Sequence, residues 1–177
     1  MSDMTVHARM SRSEARRLLA SVPAICAGRL PDPTGVVRSL YMLIGQVALG
    51  HIKKAFVEKS AGGADELGDR WEPLSQNTID GRRVGRGVGT VQILRDTGVL
   101  LNSLSPGGPG NLIDAIPGGV SIGTNVPYAI YQHFGTKTIP ARRLWPEPYR
   151  WPDAWWSDIA DEARDGVARL CSKLLGG

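Results

Sequence analysis

Cysteine is scarce in this chain. Cys26 and Cys171 are the only two in 177 residues, and they lie far apart. One disulfide between them can be drawn, but buried free thiols in a reducing cytosol suit the spacing better. Neither the cysteines nor the three histidines show metal-ligand spacing: there is no Cys-x-x-Cys and no His-x-x-x-His. A Gly-x-Ser-x-Gly nucleophile elbow is missing too. No apolar run reaches membrane-spanning length, and the longest, near Tyr41 to Gly50, is interrupted by Gly and Gln. The segment Leu18 to Cys26 is too short for the core of a signal peptide and is broken by Ser21 and Pro23. These absences lead us to expect no metal, no cofactor and no membrane span.

What remains is ordinary for a globular protein, with 42% hydrophobic and 21% charged residues. A net charge of +4 is a mild basic bias, compatible with nucleic acid nearby but no proof of it. Ser11 to Ala20 can form a basic helix, and a solvated face explains Arg12, Arg16 and Arg17 better than phosphate contact. Pro31-Asp32-Pro33-Thr34-Gly35 is a boundary by turn chemistry. We therefore expect an arm over residues 1–34 and one domain over residues 35–177. Apolar residues recur at helical spacing from Val36 to Lys59 and predict a long helix. Gly45 and Gly50 weaken it locally or mark the close approach of a neighbour. Lys53, Lys54 and Lys59 suit its C-terminal dipole, and His51 reads as a rim residue.

Ser60 to Gly68 reads as a loop. Trp71-Glu72-Pro73-Leu74 should be extended, because Pro73 pushes Glu72 out of the α region, and Trp71 should anchor on the long helix. Thr78 to Gly81 ends that element. Residues 81–90 then hold three arginines, four glycines and no acid. A phosphate-binding loop would need a Lys-Ser/Thr pair opening a helix, which is missing. A mobile surface loop is the simpler reading. In a ring threaded by DNA, Arg82, Arg83 and Arg86 are candidates for non-specific lumenal contact with phosphates. Asp96 or Thr97 can cap a short helix carrying Leu100 and Leu104. Asn111 to Ile116 and Val120 to Gly123 suit two antiparallel strands about Pro117-Gly118-Gly119. Asn125 can cap the next helix, with Pro127 in its first turn and Gly135 as its stop. Lys137 to Pro140 is extended, and Ala141 to Leu144 turns back onto the sheet.

The segment from Trp145 to Trp156 holds four of the five tryptophans, interleaved with prolines. Trp145, Tyr149, Trp151, Trp155 and Trp156 form either an interface or a cap over the domain's own core, and the two readings weigh equally. A last helix begins near Asp153, with an apolar stripe of Trp156, Ile159, Ala163, Val167, Leu170 and Leu174. Asp158, Asp161, Glu162 and Asp165 lie together on it and read as a solvated acidic face. The fold class expected is α+β: a long N-terminal helix, a small mainly antiparallel sheet, short helices, and a C-terminal helix packing back.

The order of these pieces resembles the phage virion morphogenesis family, the tail-completion proteins that include the Mu-like G protein. The matching residues are Trp71-Glu72-Pro73-Leu74, Leu94, Thr97-Gly98, Leu100 and Ser103. They continue with Gly123-Thr124-Asn125, Tyr128-Ala129, His133, Phe134-Gly135 and Pro140-Ala141-Arg142. Two departures stand out. The family's His-Gln appears as Gln132-His133, and Arg143-Leu144-Trp145 replaces Pro-Phe-Leu. The resemblance implies a non-enzymatic virion protein at the neck or head-proximal tail end. Such a protein assembles in the host cytoplasm as a homo-oligomeric ring, often sixfold, and contacts other neck and tail proteins. Ring contacts would fall on the Trp-rich segment and the last helix. Trp71, Thr97, Gly98, Gly123, Asn125, Tyr128, His133, Phe134, Gly135, Pro140 and Arg142 would fix the fold.

Two rivals stand beside this reading. A basic nucleic-acid-binding module would use the Gly/Arg loop and the basic N-terminal helix. A hydrolase would pair Ser103 with His133, with Asp96 or Asp114 as orienter, although a structural role for His133 fits its helix better.

Overall fold

The computed structural model describes residues 35–86, 91–116, 119–147 and 150–175. The expected N-terminal arm, Tyr149, the Pro117-Gly118 turn and Gly87 to Thr90 lie outside the described residues.

Helix α1 (Val36–Ser60) is the axis of the fold. It starts at Gly35, whose left-handed backbone (φ 66°) turns the chain into the helix, and no side chain caps it. Its end is a glycine-based cap: Gly62 N–H donates to Lys59 O, and Gly63 N–H reaches back to Glu58 O. Gly62 has φ 85°, a region that costs glycine nothing. The predicted helix is therefore present, one residue longer than expected.

Two layers cover α1. The hairpin β1 (Asn111–Ile116) and β2 (Gly119–Thr124) is antiparallel, in a register that opposes Leu112 to Gly123, Ile113 to Ile122 and Ile116 to Gly119. It is seated at Gly45: a Cβ there would lie 2.8 Å from Val120 Cγ2 and 3.0 Å from Ile113 Cγ2. Of the two helical glycines, Gly45 marks the close approach of a neighbour. Gly50 does not, since nothing lies within 4 Å of its Cβ position. Helix α5 (Asp153–Leu175) packs along α1 elsewhere, with Gly166 against Leu40 and Leu43. The architecture is α+β, as expected.

Three shorter helices complete it. Helix α2 (Gln76–Arg86) replaces most of the expected Gly/Arg loop. Ser75 starts it, its Oγ accepting from Thr78 N–H at 3.4 Å, and Gln76 Nε2 donates to Asp80 Oδ1 one turn on. Gly81 lies within this helix with nothing near its Cβ position, so composition alone does not break the element. Helix α3 (Val99–Ser103) begins from Gly98 in the left-handed region (φ 77°), and Thr97 Oγ1 accepts from Val99 N–H at 3.5 Å. Helix α4 (Ala129–Phe134) begins after Tyr128 rather than at Asn125, and Gly135 (φ 75°) ends it as expected.

The core lies where these elements meet: Leu49, Ile52 and Phe56 of α1, then Trp71, Ile93, Leu100, Leu104, Leu144 and Trp155. Trp71 meets the Phe56 ring edge-on at 4.9 Å, the anchoring expected of it. The α5 stripe departs from expectation in its first turn, where Trp155 takes the place of Trp156. Trp155 and Ile159 are buried, while Trp156 is largely exposed.

The two glycines of α1 separate helix propensity from packing. Gly50→Ala should raise stability by up to about 1 kcal/mol. Gly45→Ala carries the same propensity gain but drives a methyl into Val120 and Ile113, an overpacking that costs about 1–3 kcal/mol. Thermal denaturation should therefore shift up for Gly50→Ala and down for Gly45→Ala. Equal upward shifts would show that the hairpin does not rest on Gly45.

Candidate functional site

The polar groups buried in the core come first, because they decide what is left for the surface. At the end of α1, the Lys59 side chain is only 2% exposed, and so is that of its ion-pair partner Asp65, 3.0 Å away. Lys59 Nζ also donates to Arg143 O at 3.1 Å and lies 5.3 Å from the Trp71 ring centre. Trp71 Nε1 donates to the same Arg143 carbonyl at 2.9 Å. Asp65 uses Oδ1 to accept from the N–H groups of Leu67 and Asp69. Each charge thus has a partner of opposite sign and further hydrogen bonds, as burial demands.

The neighbouring residues repeat the pattern. Arg142 is buried, and its guanidinium donates to Glu72 O and Pro73 O, holding the extended Trp71 to Leu74 segment. Burial holds its pKa below the ordinary arginine value. Leu144 N–H donates to His133 Nδ1 at 3.2 Å. That acceptor role places the imidazole proton on Nε2. Burial, followed by the nearby Arg143 charge, lowers the His133 pKa, with Lys59 adding to the effect and Glu147 opposing it. Residues 142–144 thus return to α4 and the end of α1, not to the sheet as expected.

A cleft of about 620 Å³ opens beside this clasp, lined by Leu74, Arg82, Leu94, Gln132, Ile139 and Arg142 among others. Leu94 is the one described non-glycine residue with positive φ, 58°. Gln132 Oε1 is buried in the cleft wall with no hydrogen-bond partner among the described residues. Both guanidinium groups on the cleft are engaged by the chain itself. Arg82 Nη1 donates to Gln92 O at 2.9 Å, and its Nε lies 3.8 Å from Asp96. Of the three arginines expected to face DNA, Arg82 is therefore tied back to the domain. Arg83 and Arg86 follow in the same helix, and their side chains lie outside the description.

Ser103 and His133 do not form a nucleophile and base. The Ser103 hydroxyl is fully buried, donates to Leu100 O at 2.8 Å and accepts from Thr124 Oγ1 at 2.7 Å. This bond, with Asn111 Nδ2 on Ser103 O, fastens α3 to the hairpin. Asp114 lies on the outer face of β1, ion-paired to Arg38. Among the described residues, no group of three or more His, Cys, Asp or Glu is placed to hold a metal ion. No described helix is long and apolar enough to cross a membrane.

The tryptophan segment also turns inward. Trp155 is buried, stacks on His51 at 5.0 Å and donates to Glu66 Oε2 at 2.7 Å. Lys54 and then Trp155 hold the Glu66 carboxyl below its usual pKa. His51, a rim residue as expected, also pairs with exposed Asp158. Trp145 and Trp151 are half-buried against the core, leaving Trp156 as the outward ring.

The outward-facing apolar surface lies instead on α4, whose polarity is inverted. It buries Ala129 and His133 and exposes Tyr128, Ile130, Tyr131 and Phe134, at 42%, 57%, 57% and 71%. At 100° per residue these four occupy one side of the helix, and the buried pair occupies the other. A surface helix of a self-sufficient domain has the opposite arrangement. Comparison with family models, curated proteins and solved structures finds no match to this chain.

His133 gives the site a pH dependence. With its folded pKa lowered, its contribution to stability is complete above its ordinary value of about 6.5. That contribution is lost as pH falls through the lower folded value, because the unfolded chain binds the proton first. Denaturant melts between pH 7.5 and 5 should show falling stability. His133→Asn, which keeps an acceptor for Leu144 N–H, should lose this part of the slope. An unchanged slope would mean that His133 does not titrate on unfolding.

Proposed function

We propose that this chain is a structural protein of a phage virion, a ring subunit at the neck or head-proximal tail end. In that position it completes the tail or joins it to the head. The observation that carries the reading is the inverted helix α4. Ile130, Tyr131 and Phe134, with Tyr128 just before the helix, put four large side chains on one exposed side, a surface suited to assembly. The condition of the polar groups supports it. Ser103, His133, Arg142 and Lys59 are each engaged in holding backbone or a neighbouring group. None is left as a reactive group at a cleft. The order of motifs from Trp71 to Arg142 supplies the virion assignment, and a closed ring of identical subunits supplies the need for exposed apolar contacts. The nucleic-acid reading loses its main contact at Arg82, which serves α2 and the Gln92 segment.

The test is attachment to isolated tails. The gold-labelled full chain should mark one tail end in electron micrographs. Tyr131→Glu combined with Phe134→Glu should abolish that mark, with stability within about 0.5 kcal/mol of the parent, since both positions are exposed. Labelling that ignores these charges, or a chain that leaves tails unmarked and instead binds duplex DNA with steep salt dependence, would overturn the proposal.

A further inference from the structure

A closed ring of one chain needs two different surfaces, one fitting the other. Helix α4 offers the first. Its exposed side chains present on the order of 500 Å² of largely apolar area, against roughly 800 Å² per partner in a standard interface.

The outer face of the hairpin has the features of the second. Opposed residues of an antiparallel pair share a face. Ile113, Val120 and Ile122 point at Gly45 of α1, so the pairs Leu112–Gly123, Asp114–Ser121 and Ile116–Gly119 point away. Along β2 this outer face carries nothing larger than serine. Leu112 and Ile116 stand beside it, about half exposed, as a wall. Gly119 borders the hairpin turn, and among the described residues no contact calls for glycine at either position. Neither has positive φ, and a Cβ at Gly119 or Gly123 would meet nothing within 4 Å. Glycine inside a strand weakens it, and it commonly marks the close approach of another group.

We infer that the outer groove of β2, floored by Gly119, Ser121 and Gly123, receives the α4 face of a second copy, with Phe134 or Tyr131 lying on the glycines. The inference rests on the ring-subunit reading and specifies its contact. Rings laid on strand glycines recover the packing that the missing side chains forgo. Asp114 stands midway along the wall, paired to Arg38 of α1. The contact is head-to-tail, because the groove and the helix differ in shape and neither complements itself.

Paired single-cysteine chains test this, with Cys26 and Cys171 replaced by serine. One chain carries Leu112→Cys and the other Phe134→Cys, both at exposed positions. Mild oxidation should cross-link the two only when they are mixed, and a chain carrying both should give a ladder of multimers. Cross-links within either single-variant sample but none in the mixture would mean a two-fold contact and overturn the inference. Oligomers by light scattering without the mixed cross-link would remove this contact while leaving the ring reading standing. A chain that stays monomeric alone and on tails would remove both.

A second variant guards against misfolding of the serine background. Gly123→Phe, in the otherwise native chain, fills the groove from within. It should leave the melting temperature unchanged or raised and weaken self-association at least tenfold. Undiminished association would overturn the inference.

Discussion

The fold depends on a buried charge pair. Lys59 and Asp65 are almost wholly removed from water, and such burial costs several kcal/mol per ion before any pairing is counted. Their attraction, the Arg143 carbonyl, two backbone N–H groups and the Trp71 ring together offset that cost. Removing one partner would leave an unpaired buried charge, a loss of about 3–5 kcal/mol. The pair sits where α1 ends, so it fixes the loop over residues 61–70, the entry of Trp71 and the return of residues 142–144 together. Those three residues form a clasp. The Arg142 side chain holds Glu72 and Pro73, the Arg143 carbonyl meets Lys59 and Trp71, and the Leu144 amide meets His133.

The clasp explains the inversion of α4. Arg142 N–H donates to the Gln132 backbone carbonyl at 2.7 Å, and Leu144 N–H to the His133 ring, so the inner side of α4 must present the imidazole. The apolar residues of this short helix are then turned outward. An internal constraint thereby generates an external surface, and the proposed ring contact follows from how the core is satisfied.

Much of this was legible in the sequence, and the failures have physical causes. The long helix, the hairpin, the Trp71 anchor and the Gly135 stop follow from periodicity and turn chemistry, which are local. Helix α2 was missed because glycine and arginine content suggested a loop, whereas Ser75 starts the helix and Arg82 ties it to Gln92. At the helix starts, left-handed Gly98 takes the cap position with Thr97 Oγ1 on Val99 N–H, and the turn at Tyr128 stands where Asn125 is expected. Lys59 read as a cation favoured by the helix dipole, because nothing local announces that Asp65 will fold back over it. The first turn of α5 differs because adjacent Trp155 and Trp156 are equally apolar, and the Glu66 acceptor and the His51 ring select Trp155 for burial. Tyr128 to Phe134 is apolar over most of its circumference, so composition gave no orientation. The Leu144 N–H from which His133 accepts, distant in sequence, sets it.

The mass of the full chain in solution tests the central claim most directly, measured by light scattering behind a sizing column over a range of concentrations and again with isolated tails. The account predicts a single closed assembly several times the 19.1 kDa of one chain, formed freely or on tails. A mass of 19.1 kDa at every concentration, with tails present or not, would contradict it.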